Sequence, residues 1–134
     1  MIGIHVPGRT DWETILASGV SLVSAPADVG LLGWVDALGD MLERGGWIAW
    51  GAVPVDQPLG TGEELLWRRL AAVWGDLVAG GLDPMQVRLR CMVSPADGLG
   101  HFGESQAERV IDLVSSISSR VRRQTIAARL SLGA

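Results

Sequence analysis

Six polar residues end or follow short apolar runs of the sequence: His5, Asp28, Asp56, Ser94, Asp97 and His101. Carboxylates and imidazoles move protons in general acid–base catalysis, and both also bind metal ions. In folds built from parallel strands, functional groups lie at the carboxyl ends of the strands. We therefore predict that these side chains converge on one rim, where they bind a substrate.

Most of these residues also have a purely structural interpretation. Asp28 is placed to cap a helix that begins near Leu31. Asp56 and Asp97 lie in turn sequences with proline or glycine, where aspartate is common. His101 lies in a glycine-containing segment and is consistent with an exposed loop histidine. The sequence leaves both interpretations open for each of them.

His5 is the strongest candidate, because a histidine within an apolar strand needs a polar partner. A buried histidine with a satisfied partner fits the pattern equally well. Cys91 shares an apolar face with Leu89 and Val93, so we interpret it as a core residue.

The candidate residues must be positioned by alternating strands and helices. Four apolar runs predict strands at residues 2–6, 20–24, 47–53 and 87–93. Apolar residues at helical spacing predict helices at about 10–19, 31–44, 61–79 and 105–129. Thr10, Thr61 and Ser105 each begin a capping box, so we expect helices to start there. The last helix either continues to Arg129 or breaks and restarts before it.

The order βαβαβαβα predicts an α/β fold with parallel pairing and right-handed crossovers. Four such units make half of a (β/α)8 TIM-type barrel, and the alternative is a small, open, doubly wound sheet. A half-barrel has an open edge on each side, so it needs a partner. That partner is a second copy of the chain or a separate N-terminal half. No internal linker or repeat is found, so residues 1–134 are predicted to form one domain.

Composition and charge exclude several classes of function. The net charge of −4 disfavours binding to nucleic acid, although four arginines near the C-terminus leave RNA binding as a minor alternative: Arg120, Arg122, Arg123 and Arg129. One cysteine rules out an internal disulfide framework. No signal peptide or membrane-spanning run is evident, so we expect a cytoplasmic protein. The sequence contains no Walker A, G-x-S-x-G, C-x-x-C or H-E-x-x-H motif.

Several short motifs resemble the cobalamin-independent methionine synthases and their actinobacterial relatives. Residues 47–54 are similar to a strand of that family that ends in G-V-V-P, and residues 93–100 to its last barrel strand and loop. Residues 104–110 resemble the start of its final helix, and residues 3–5 with 11–12 resemble its fifth strand and following helix. The resemblance implies that residues 1–134 are the C-terminal half of a barrel.

The resemblance also implies a reaction in methionine biosynthesis, namely methyl transfer from methyltetrahydrofolate to the thiol of homocysteine. In that family a zinc ion holds the thiol as a thiolate. Its ligands are a His-x-Cys pair, a glutamate and a second cysteine. His5 matches the histidine, whereas the other three positions fall at Pro7, at Ala25 or Pro26, and at Asp97.

A zinc site would thus retain His5 and Asp97, with Asp28 as a further candidate. Catalytic zinc needs three protein ligands, so we expect zinc to be absent. The resemblance then implies a barrel fragment that is not catalytically competent alone. Two alternatives stay open: a non-enzymatic assembly module, and a metal-free domain that binds a small molecule, as in the wider uroporphyrinogen-decarboxylase-like superfamily. Oligomeric state tests the first, and zinc-free binding of a folate or another anionic small molecule tests the second.

Overall fold

A computed structural model describes residues 1–56 and 62–133. Helices separate the strands along these residues, with two consecutive helices between the third and fourth strands: β1 (Gly3–His5), α1 (Trp12–Ala17), β2 (Leu22–Pro26), α2 (Val35–Glu43), β3 (Trp47–Val53), α3 (Glu63–Ala79), α4 (Pro84–Leu89), β4 (Cys91–Pro95) and α5 (Glu104–Gly133). A 3₁₀ turn at Leu31–Trp34 leads into α2. In the described residues, no helix is both long enough and apolar enough to cross a membrane.

The four strands form one sheet in the order β1-β2-β3-β4, and every neighbouring pair is parallel. The predicted α/β fold with parallel pairing is confirmed. A doubly wound sheet needs a reversal of strand order, and this order has none, so that alternative is wrong. Consecutive strands of a (β/α)8 barrel follow the same sequential order, and the half-barrel stays a prediction.

The helices form one layer on one face of the sheet. Contacts run from α1 to α2, from α2 to α4, and from α3 to both α4 and α5. Beneath this layer, Val23, Ile48 and Trp50 are at most 1% exposed and lie side by side or alternate along β2 and β3. They belong to one cluster of buried apolar side chains that extends from Val6 to Val121.

The opposite face of the sheet has no helix layer among the described residues. One row across it joins four residues in register: His5, Ser24, Ala49 and Met92. Met92 is 43% exposed and His5 is also exposed, whereas Ala49 is buried. This open face is therefore accessible toward its two outer strands and closed at its centre.

β3 is the most buried strand, and the sequence predicted its bounds correctly. Its residues from Ile48 to Val53 are all buried. Near its end, a Cβ at Gly51 would lie 2.8 Å from Ala96 Cα and 3.0 Å from Ala25 O. Only glycine lets the chain that follows β4 approach the sheet so closely.

We therefore expect Gly51→Ala to destabilise the protein by about 1–3 kcal/mol, because backbone atoms must move to admit the methyl group. Gly75→Ala is the matched control, because Gly75 is an exposed residue of α3 and a Cβ there would have no atom within 4 Å. The free energy of unfolding of this control should rise by up to about 1 kcal/mol. Urea unfolding measures both, and equal stability of the two variants would contradict the close approach.

The prediction of the fourth strand, at residues 87–93, is wrong over its first half. Residues 84–89 form α4, because Asp83 caps its first turn with bonds from the Met85 and Gln86 amides and Pro84 occupies its first position. The strand begins only at Cys91. Alternating apolar residues suggested a strand, but the cap and the proline decide the local structure.

The helix starts also differ from prediction. Asp11 rather than Thr10 caps α1, and α5 begins at Glu104, before Ser105. Thr61 lies outside the described residues. Asp28 caps no helix, because Gly30 precedes the 3₁₀ turn and no side chain caps it. α5 continues without a break through Gly133.

Glu64 connects α3 to α5. Its carboxylate accepts hydrogen bonds from Arg120 at 2.7 Å and from Arg68 at 3.3 Å. The Arg120 guanidinium also lies 4.7 Å from the centre of the Trp67 ring. The bond from Arg120, with a smaller contribution from Arg68, lowers the pKa of Glu64 below its ordinary value.

A carboxylate whose pKa is lowered by folding stabilises the folded state at pH values above the ordinary glutamate pKa. This stabilisation is lost as the pH falls through the pKa of the folded state. We expect Glu64→Gln to reduce stability slightly at neutral pH and to converge with the wild type in acid. Thermal unfolding from pH 7 to pH 3 tests this, with Glu108→Gln on exposed α5 as control. A pH-independent difference would contradict the ion pair.

Candidate functional site

An open cleft of about 940 Å³ lies at the carboxyl ends of the strands. Each of the four strands contributes to it through the loop that follows: Pro7 after β1, Asp28 after β2, Asp56 after β3, and Asp97 with His101 after β4. Four of the six predicted site residues therefore line one cleft. Its volume is in the range of small-molecule sites.

Arg69 of α3 also lines the cleft, and sequence analysis missed it. Nothing in the sequence distinguishes it from other arginines on exposed helix faces; only the packing of α3 brings it to the strand ends. Apolar surface comes from Val55, Val73 and Phe102. The cleft thus combines three carboxylates and one guanidinium with an apolar wall.

His5 lies beside this cleft and has two polar neighbours. Its Nδ1 atom is 3.1 Å from Ser24 Oγ on the next strand, and its Nε2 atom is 3.7 Å from Asp97 Oδ1. His5 is exposed, so its interpretation as a buried histidine with a satisfied partner is wrong, and its two neighbours lie at the surface of the sheet. Ser24 was missed, because only the lateral register of β1 and β2 brings the two side chains together.

Serine, histidine and aspartate are also the side chains of a nucleophilic triad. Here the His5–Asp97 separation of 3.7 Å is longer than a hydrogen bond, and Asp97 Oδ1 instead accepts from the Gly98 amide at 2.7 Å. The His5 side chain is 42% exposed and the Asp97 side chain 64%, so water screens their interaction. We interpret the group as a polar binding cluster rather than an activated nucleophile.

Ser94 belongs to β4 itself rather than to the loop that follows it. It is in register with Gly51 on the open face of the sheet. Its Oγ atom is buried and has no hydrogen-bond partner among residues 1–56 and 62–133. It does not line the cleft with Asp56 and Asp97.

The residues present do not fit a catalytic zinc ion. His5 and Asp97 are near one another, whereas Pro7, Ala25 and Pro26, which the resemblance would place at ligand positions, have side chains that donate no electron pair. In the part of the chain that the structure describes, no three histidine, cysteine, aspartate or glutamate side chains form a group able to hold a metal. Two ligands fall short of the three that catalytic zinc requires.

Known proteins add no assignment to this geometry. No family model, no curated protein and no solved structure matches the chain.

Cys91 lies at the edge of the sheet, away from the cleft. Burial raises the pKa of its thiol to about 11, partly offset by the nearby Arg88 charge. The thiol donates to the Arg88 carbonyl oxygen at 3.3 Å. Its thiolate, which is the reactive form, is therefore scarce at neutral pH.

We expect iodoacetamide to alkylate Cys91 at pH 8 roughly a hundredfold more slowly than an exposed thiol. Ser131→Cys in a Cys91→Ala background supplies that exposed thiol at the end of α5. Mass spectrometry measures both rates, and urea should make them equal. Equal rates without urea would contradict the burial of Cys91.

Proposed function

We propose that this chain is a barrel half related to the cobalamin-independent methionine synthases. Its cleft binds a small amino-acid-like molecule of the homocysteine or methionine type, and it does not carry out zinc-dependent methyl transfer. The observation that carries the proposal is that the loops after all four parallel strands line one cleft.

The sequential strand order supports the barrel relationship. Neighbouring strands of a (β/α)8 barrel are consecutive in the chain, and their helices lie on one face. The order β1-β2-β3-β4 and the single helix layer have both properties. The cleft then corresponds to the end of the barrel at which enzymes of this fold bind their substrates.

The charges of the cleft favour an amino-acid-like ligand. Asp28, Asp56 and Asp97 attract an ammonium group, and Arg69 is suited to a carboxylate. The side chains of Val55 and Phe102 offer surface to an aliphatic chain. Homocysteine and methionine carry all three features.

The small number of possible metal ligands argues against methyl transfer. The family's chemistry depends on a metal-bound thiolate, and His5 with Asp97 provides too few ligands to hold the metal. Binding without catalysis is what the remaining side chains support. We place this function in the cytoplasm, whose reducing conditions suit the free thiol of Cys91.

Titration of metal-free, ¹⁵N-labelled protein with homocysteine, methionine and methyltetrahydrofolate tests the proposal. We expect the amino acids to shift amide resonances at residues 27–28, 55–56 and 96–102. Asp56→Asn and Asp97→Asn should each weaken binding about fivefold, as expected for exposed ion pairs of ~1 kcal/mol.

Asp112→Asn on the exposed face of α5 removes the same charge far from the cleft and should leave affinity unchanged. Absence of shifts at millimolar ligand, or shifts centred elsewhere, would overturn the binding proposal. Zinc-dependent formation of methionine by this chain would overturn its non-catalytic part.

A further inference from the structure

Strand β1 leaves one edge of the sheet open. All three of its residues are exposed. On the side of β2, Ile2 O accepts from the Ser21 amide and the Val6 amide donates to Ser24 O. Alternate residues of a parallel strand direct their backbone groups to opposite sides, so Gly3 and His5 present theirs to the open edge.

Strand β4 leaves the other edge open. Arg90 O accepts from the Ile48 amide of β3, so Cys91 and Val93 direct their amides and carbonyls away from the sheet. Each edge therefore offers the backbone groups that a further parallel strand needs. Unpaired edges of this kind are sites of association.

A groove of about 490 Å³ lies beside β4, beneath residues 118–129 of α5. Its apolar lining includes Cys91 and Val93 of β4 with Val121 and Ile126 of α5, and three arginines also line it: Arg88, Arg122 and Arg129. Ile126 is 52% exposed. The helix thus extends over space that the chain itself leaves unfilled.

Two exposed isoleucines, Ile4 of β1 and Ile2 just before it, could fill this groove. Ile4 is in register with Val23, so it lies on the face that the helices cover, yet it is 36% exposed. Ile2 lies two residues earlier on the same face and is 73% exposed. A β1 strand paired with β4 would direct both isoleucines under α5.

The number of strands points to a second copy as the partner. Two four-stranded sheets provide the eight strands at which a parallel barrel closes with its interior filled. The accessible surface is 7573 Å², against about 6800 Å² expected for a monomer of 14.2 kDa, so the chain leaves more surface unburied than a globular monomer of its mass.

We propose that two copies associate about a twofold axis, with β1 of each copy entering the β4–α5 groove of the other. The two sheets close into an eight-stranded parallel barrel. The open face with His5, Ser24 and Met92 becomes its interior, and both clefts lie at the same end. This assembly does not depend on ligand binding.

Light scattering after size exclusion, from micromolar to submillimolar protein, tests the assembly. We expect a dimer that Ile4→Lys and Ile126→Lys each convert to monomer, because each places a further cation in a groove that Arg88, Arg122 and Arg129 line. Leu65→Lys is the matched control, because Leu65 is 46% exposed on α3 over the middle of the sheet. It should stay dimeric, and circular dichroism verifies that all three variants are folded.

Cross-linking identifies the contact itself. The protein has one cysteine, so Ile4→Cys places a second thiol opposite Cys91 of the other copy. Diamide oxidation, in which the reagent accepts the two thiol hydrogens, should give a disulfide-linked dimer. Leu65→Cys should not.

A wild-type monomer at every concentration would overturn the proposal and leave the groove to a different partner. Dimers that survive both lysine substitutions would also overturn it, because another surface would then hold the copies together. If Ile4→Lys alone unfolds, Ile126→Lys still decides the outcome, because it alters the exposed surface of α5.

Discussion

Burial of β3 on both of its faces is the interaction on which the rest of the structure depends. β3 pairs with β2 and β4, and α3 and α5 contact it from the helix layer. Its Gly51 lets the chain after β4 pass close to the sheet, which brings Asp97 and His101 to the strand end that Asp56 follows. The cleft is therefore a consequence of how tightly β3 packs.

The sequence predicted the fold where one signal dominated. The apolar run from Trp47 to Val53 is bounded by Gly46 and Pro54, and its strand bounds were correct. The prediction was wrong at residues 87–89, where alternation indicated a strand and the Asp83 cap with Pro84 indicated a helix. A cap and a proline act on the backbone directly, whereas alternation depends on which face is buried.

The candidate site was predictable only in part. Polar residues after parallel strands must gather at one end of the sheet, which is why four of them line the cleft. Ser24 and Arg69 were missed for a different reason. Ser24 reaches His5 through the register of two strands 19 residues apart in sequence, and Arg69 reaches the cleft through helix packing. Neither relation leaves a local pattern in the sequence.

The sequential order of the strands gives the fold a gradient of local stability. β1 pairs only with β2, whereas β3 is released only when two ladders and two helices separate from it. Opening therefore begins at the outer units and reaches the centre last, as in repeat proteins whose units contact their neighbours. Anything that binds the edge at β1 contacts the least protected segment. Its binding therefore stabilises that segment against local opening.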